Sequence, residues 1–245
     1  MGRVEAFALP GIPEISPGDD LAAIIERAGG PFDPGDVVVI AHKVVSKSEG
    51  AVVDLAGVEP GEQALELAAA QGRDPRHVQV ILDPSAAVVR AERDILICRT
   101  PHGFICANAG VDASNSGGAD RLVCLPEDPD ASARRIRGAL GGSPAVVVAD
   151  SFGRAWRVGQ ADIALGVAGL APLDDWSGRP DSDGRELSST LIAVADEAAA
   201  AADLARGKDS REPVVVVRGL ASRVTDDDGP GAAALVRPPE EDLFP

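Results

Sequence analysis

Polar and apolar positions fall into blocks whose period changes several times along this chain. Asp19 and Asp20 precede Leu21, Ile24, Ile25 and Ala28, an apolar face at helical spacing that predicts a helix begun by an aspartate cap. The runs 36–40, apolar after Asp36, and 145–149 lack alternation and predict strands buried on both faces. Residues 61–71 predict an Ala- and Leu-rich helix ended by Gly72 and Asp74-Pro75, residues 129–140 a second, and residues 186–205 a long Ala-rich third. Residues 78–82, 94–100, 121–125 and 214–217 read as strands, and 85–91 as a strand or a short helix. Pro101, His102 and Gly103 predict a hairpin turn, with 104–108 as the returning strand. Residues 4–9 form a short apolar segment leading into 10–15, where two prolines and a glycine predict an ordered turn.

Strands and helices mix without regular alternation, and hairpins are implied. The expected class is therefore mixed α/β (α+β), with mixed and antiparallel sheets and not a doubly wound Rossmann sheet. One domain over 1–245 is expected. Residues 72–125 are rich enough in strands to form a subdomain, although no linker marks its edges.

Composition narrows the function classes. At 45% hydrophobic residues and a mean hydropathy of +0.04, the chain reads as globular. A net charge of -16 argues against non-specific nucleic-acid binding, and requires that any anionic ligand be met by local cations or a metal. Aromatics at 3%, without tyrosine, offer no base-stacking platform. Cys98, Cys106 and Cys124 show neither a CxxC nor an even count, so buried reduced thiols are expected. No apolar run reaches membrane length and no leader-like succession opens the chain; a cytoplasmic protein is expected.

Two stretches carry candidate chemistry. Residues 107–120 place Asn108, Asp112, Ser114, Asn115 and Ser116 beside Gly110, Gly117 and Gly118, without apolar period. Such a loop lets backbone N–H groups approach an anion while carboxylate and amide oxygens hold a hard cation. Residues 149–162 have the same loop-like character and follow the strand ending at Ala149, so Asp150 and Ser151 stand at its carboxyl end. Asp112 and Asp150 are the metal candidates, with Ser151 or Asn115 adding neutral oxygen, a set suited to Mg²⁺ or Mn²⁺. Each aspartate taken singly is better explained by a cap or turn; the two together favour the metal. Lys43 and Lys47 share one side if their segment is extended and suit phosphate, but there is no Walker A motif. Arg154 and Arg157 are candidates for holding a carboxylate or phosphate. Of the three histidines only His42 lies near a candidate site.

These residues also form blocks in a familiar order. Gly11-Ile-Pro-Glu-Ile15, His42-Lys-Val-Val-Ser-Lys-Ser-Glu-Gly50, Asn108-Ala-Gly-Val-Asp-Ala-Ser-Asn115 and Asp150-Ser-Phe-Gly-Arg-Ala-Trp-Arg157 resemble the coenzyme F420-0:L-glutamate ligase family. So do Gly159-Gln-Ala-Asp162, Ala195-Asp-Glu-Ala198 and the block 213–220, and the likeness spans essentially the whole chain. The resemblance implies a fold of the family's own, a homodimer, and an acid–amino-acid ligase. That enzyme joins L-glutamate to coenzyme F420-0 with GTP as co-substrate, two Mg²⁺ or Mn²⁺ per site, and K⁺ besides. It further implies Ile12, Pro13, Glu14, Ile15, Lys47 and Asn115 as nucleotide-contacting positions, with His42 at a place often held by Ser or Thr. Asp112, Asp150 and Ser151 match its metal ligands, and Asp112, Asp150 and Lys47 the chemistry of phosphoryl transfer. Many members carry Gln after the glycine at Gly207, where Lys208 stands here. The tail 238–244 resembles the segment that in some members leads into a second, flavin-binding domain. Two rival readings stay open on residues alone: a metal-dependent phosphotransferase or phosphohydrolase, and a non-catalytic nucleotide-binding protein.

Overall fold

The computed structural model describes residues 2–207 and 209–242. In chain order the elements are β1 (Glu5–Ala8), α1 (Leu21–Gly29), β2 (Val37–Ala41), α2 (His42–Ser48), β3 (Val52–Asp54), α3 (Glu62–Gln71) and α4 (Pro75–Leu82). There follow β4 (Ala87–Glu92), β5 (Ile95–Arg99), β6 (Ile105–Ala107), β7 (Arg121–Val123), α5 (Pro129–Ala139), β8 (Ala145–Arg154) and β9 (Arg157–Ala168). The remainder comprises β10 (Asp174–Asp175), β11 (Leu191–Ile192), α6 (Val194–Ala205) and β12 (Val214–Arg218).

Five strands form the central sheet in the order β1-β12-β2-β8-β9. Only β2 and β8 run parallel; every other neighbour pair is antiparallel. The uninterrupted valine runs are buried because both faces are covered. Val38, Ile40, Val146 and Val148 pack with Leu21, Ile25, Ala133 and Ile136 on one side. Val37, Val39, Val147 and Val215 pack with Ala195, Ala198, Ala199 and Ala202 of α6 on the other. Successive residues of one strand thus enter different cores, as the period of 2 requires. A third core joins α3 and α4 to β5, through Ala64, Ala68, Val78, Ile81, Leu96 and Cys98. The antiparallel sheet β4-β5-β6 belongs to this layer. Cys106, Phe152 and Leu165 connect it to the β8–β9 hairpin, where Phe104 meets Phe152 edge-on at 6.3 Å.

This is the mixed α/β class the pattern predicts, and four local expectations are corrected. Residues 78–82 lie in α4, because Asp74 caps Arg76 N–H and Pro75 opens the first turn, while Val78 and Ile81 supply a helical stripe. Residues 149–162 are not a loop: β8 runs on to Arg154 and returns as β9, with the alternation hidden by glycines and polar residues. The helix predicted over 186–205 begins only at Val194, as α6, and 191–192 pair with β10. Lys43 and Lys47 lie on a helix, where spacing i, i+4 still keeps them on one face. Cys98 and Cys106 are buried free thiols and Cys124 is half-buried; burial pushes Cys106 up to about 12 and Cys124 up to about 11. No helix among the described residues is long and apolar enough to cross a membrane.

Candidate active-site cleft

The parallel pair β2 and β8 fixes the centre of the site. Ala41 and Ala149 are the last pair in the parallel register, so both strands deliver their next residues, His42 and Asp150, to the same carboxyl end of that pairing, although β8 itself continues. Ligand crevices in open sheets form at that end. A cleft of about 1310 Å³ opens there. Its walls come from the 12–15 turn, α2, the start of α4, the 107–115 loop, residues 149–151 with Gln160, and the segment 206–213.

His42 opens α2 and is almost wholly buried. Its Nε2 stands 3.5 Å from Asp150 Oδ1, and Nδ1 lies 3.4 Å from Ser46 Oγ one turn on. Burial lowers the ring's pKa below 6.5; the Asp150 charge opposes this, and Lys43 reinforces it. The imidazole is therefore neutral at pH 7, and its approach to Asp150 is a contact rather than an ion pair. Nε2 has no hydrogen-bond partner among the described residues. Burial pushes the Asp150 carboxyl up, against His42 and the Ser151 N–H bonded to Oδ1 at 2.8 Å.

The 107–115 loop enters the cleft through a tight reversal. Asn108, Ala109 and Gly110 have φ of 52, 52 and 73°, three successive residues in the left-handed region. A side chain at Gly110 would strike Leu125. Asp112 then exchanges backbone hydrogen bonds with Val123, which fixes its Cα and turns the carboxylate into the cleft. Lys43 Nζ sits 2.7 Å from Asp112 Oδ2 and 2.6 Å from Ser114 Oγ, and Ser114 N–H donates to Asp112 Oδ1 at 2.6 Å. Burial raises the Asp112 carboxyl, yet those donors outweigh it and hold the net value below the usual range. Asn115, at φ 54°, lines the same cleft.

Lys47, one turn beyond Lys43, is largely buried and its ammonium bonds Glu14 of the 12–15 turn. On the opposite wall Ser151 donates to Asp162 at 2.5 Å, and Asp162, buried, pairs with Arg206. Arg206 also donates to Pro213 O at 3.1 Å, so one arginine ties the ends of the 206–213 segment together. Lys208 lies outside the described residues.

Ile12, Pro13, Glu14, Ile15, His42, Lys47, Asp112, Asn115, Asp150 and Ser151 thus all border one cleft. Arg154 and Arg157 do not: they flank the exposed tip of the β8–β9 hairpin, where Arg154 donates to Val158 O at 3.4 Å. Sequence reasoning passed over Arg73, His77, Asp162 and Arg206. Asp162 alone carried a signal, a carboxylate in the block 159–162; the others look like ordinary surface residues until the chain folds.

No cluster of three His, Cys, Asp or Glu side chains positioned for a metal occurs among the described residues. The donor set is nonetheless the right chemistry for a hard cation. Asp112, Asp150 and Ser151 line the same cleft, Asp150 beside the orphaned Nε2 of His42, and Mg²⁺ is commonly held by one or two carboxylates plus substrate phosphates. Cationic and hard-oxygen groups line one crevice, an arrangement of the kind small-molecule enzymes use.

The chain matches the family model described as F420-0:Gamma-glutamyl ligase over residues 11–219, and it belongs to that family. It is 41% identical to the coenzyme F420:L-glutamate ligase of Methanothermobacter thermautotrophicus, over 98% of each chain. It is 40% identical to that of Methanopyrus kandleri, over the full length of both. To the Methanocaldococcus jannaschii ligase it is 42% identical over 87% of this chain and 86% of the relative.

Proposed function

We propose that the protein is a GTP- and divalent-metal-dependent ligase that adds L-glutamate to coenzyme F420-0, and then further γ-linked glutamates, through an acyl phosphate. The observation that carries the reading is the convergence of Asp112, Asp150, Lys43 and Lys47 in one cleft of a chain so similar to named glutamate ligases.

An unactivated carboxylate resists attack by an amine. The substrate carboxylate oxygen attacks the γ-phosphorus of GTP, the bond to the β–γ bridging oxygen breaks, and GDP leaves with that electron pair. The glutamate α-amine, having lost one proton, attacks the acyl carbon. The C–O bond to phosphate breaks, and inorganic phosphate and a second proton depart, leaving the amide. Asp112, Asp150 and Ser151 would hold Mg²⁺ or Mn²⁺, which when bound neutralises charge on the phosphates. Lys47 and Lys43 bring ammonium groups to the same region, and each leaves its carboxylate partner for a phosphate oxygen as the nucleotide enters. Buried, neutral His42 stands 3.5 Å from Asp150 and backs the carboxylate without carrying a charge of its own.

Two such chains forming a homodimer, and a cytoplasmic location, belong to the same proposal. Mass spectrometry of coenzyme F420-0 incubated with protein, GTP, metal and L-glutamate tests it. Mass steps of one glutamyl residue that need both GTP and metal are the expected result. Phosphate release without glutamate addition would replace the ligase with a phosphohydrolase.

A further inference from the structure

We propose that Arg73, with His77 beside it, forms a carboxylate subsite of the cleft that holds an acidic group of the glutamyl substrate. This rests on the ligase reading and adds where the amine-bearing acid is gripped.

Arg73 directly follows Gly72, the left-handed cap of α3 at φ 64°, and its own N–H bonds Ala68 O at 3.0 Å. Its backbone is therefore fixed before α4 begins. The side chain lies half-buried along the cleft, and both of its hydrogen bonds leave from Nη1, to Asn108 Oδ1 at 3.1 Å and Asp94 O at 3.4 Å. Both acceptors are neutral. Nε and Nη2 donate to nothing among the described residues, and no carboxylate there pairs with Arg73. Arg76, Arg137, Arg206 and Arg218 each hold an aspartate. Among the described half-buried arginines only Arg73 and Arg99 lack an acidic partner, and of the two only Arg73 lines the cleft. Its burial is felt as a lowered guanidinium pKa, only partly offset by Asp94.

The two unclaimed donors are the edge of the guanidinium fork that matches a planar carboxylate. His77 and Ile81, one turn apart on α4, line the same wall and give it a second polar group above an apolar floor. The position is right for a substrate that reacts at the acids. Asn108 stands four residues before Asp112, and four residues span at most ~14 Å. The nucleotide-facing ammonium groups lie on α2, a separate element. The carboxylate can come from free L-glutamate or from a glutamyl unit already on the coenzyme.

Steady-state kinetics and calorimetry on the full chain with Arg73→Met and Arg73→Lys decide the matter. In the Met variant KM for L-glutamate should rise on the order of 10–100-fold, the loss of a charge-assisted hydrogen-bonded pair. KM for GTP and Mn²⁺ affinity should stay constant, and Lys should restore part of the loss. An unchanged glutamate KM with weakened binding of the glutamylated coenzyme would assign the subsite to the tail carboxylate, the same chemistry from the other source. If neither moves, or if glutamate, GTP and Mn²⁺ all weaken together, Arg73 only props the 107–115 loop and the proposal falls. Binding of glutarate by calorimetry reads the subsite without turnover. Glutarate bound by wild type and lost in the Met variant upholds the subsite even if no ligation occurs, which would then count against the ligase reading alone; glutarate ignored by both proteins overturns it.

Discussion

Ser151 and Asp162 face each other across the β8–β9 hairpin, in register, and the serine hydroxyl donates to the aspartate at 2.5 Å. The aspartate is buried and its other oxygen is taken by Arg206, whose side chain also reaches Pro213 O. Asp162 on β9 therefore links Ser151, on the strand that carries Asp150, to Arg206 at the lip of the cleft.

Removing Arg206 leaves a buried, uncompensated carboxylate. Arg206→Met should cost about 3–5 kcal/mol in urea unfolding, the usual consequence of breaking one half of a buried pair. Asp162→Asn, which keeps the volume, should cost less but lower activity through Ser151. A variant as stable as wild type would show that the segment is held by other contacts.

Lys43 competes with any cation for Asp112. In Lys43→Met, Mn²⁺ affinity measured by electron paramagnetic resonance without nucleotide should rise about 2–5-fold, a modest factor because this pair is partly exposed. KM for GTP should rise in the same variant. Weaker Mn²⁺ binding would instead make Lys43 a support for the loop.

Chelation with EDTA should abolish glutamate addition, and MnCl₂ should restore it. Asp112→Asn and Asp150→Asn should each lower kcat on the order of 10²–10³-fold, the worth of several kcal/mol of charge stabilisation. Full GTP-dependent ligation by either variant would remove that residue from the metal site.

Asp74 caps α4 and is held at about 2 by the Arg76 side chain first and by the Arg76 N–H next. Since the folded pKa is depressed, the stabilisation is present above the unfolded value near 3.8 and disappears as pH falls through about 2. Asp74→Ala should therefore be less stable by ~1 kcal/mol at pH 7. The two proteins should converge between pH 3.8 and 2. A gap that persists at the lowest pH would locate the loss outside the ionised cap.

The central sheet was legible because burial on both faces leaves an unbroken valine run, and α1 because Asp20 and an apolar stripe announce it. α4 was not, since five consecutive residues ending at Leu82 contain enough Val and Ile to pass for a strand; Asp74-Pro75 was the better clue. The β8–β9 hairpin was missed for the opposite reason, because polar residues and glycines at its exposed end imitate a loop.

By itself the sequence determined which residues have suitable chemistry: Asp112, Asp150 and Ser151 were visible as hard oxygen donors, Lys47 as a cation, and His42 as the one histidine near them. Tertiary structure alone decided which of them meet. Parallel pairing of β2 with β8 sets His42 against Asp150, and the left-handed reversal at 108–110 swings Asp112 onto Lys43. It also carries Arg154 and Arg157 out to solvent and leaves Arg73 along the cleft without a carboxylate partner among the described residues. Composition and local spacing encode propensity and charge. Proximity between residues 30 or 100 positions apart comes from strand register and packing, which no local pattern records.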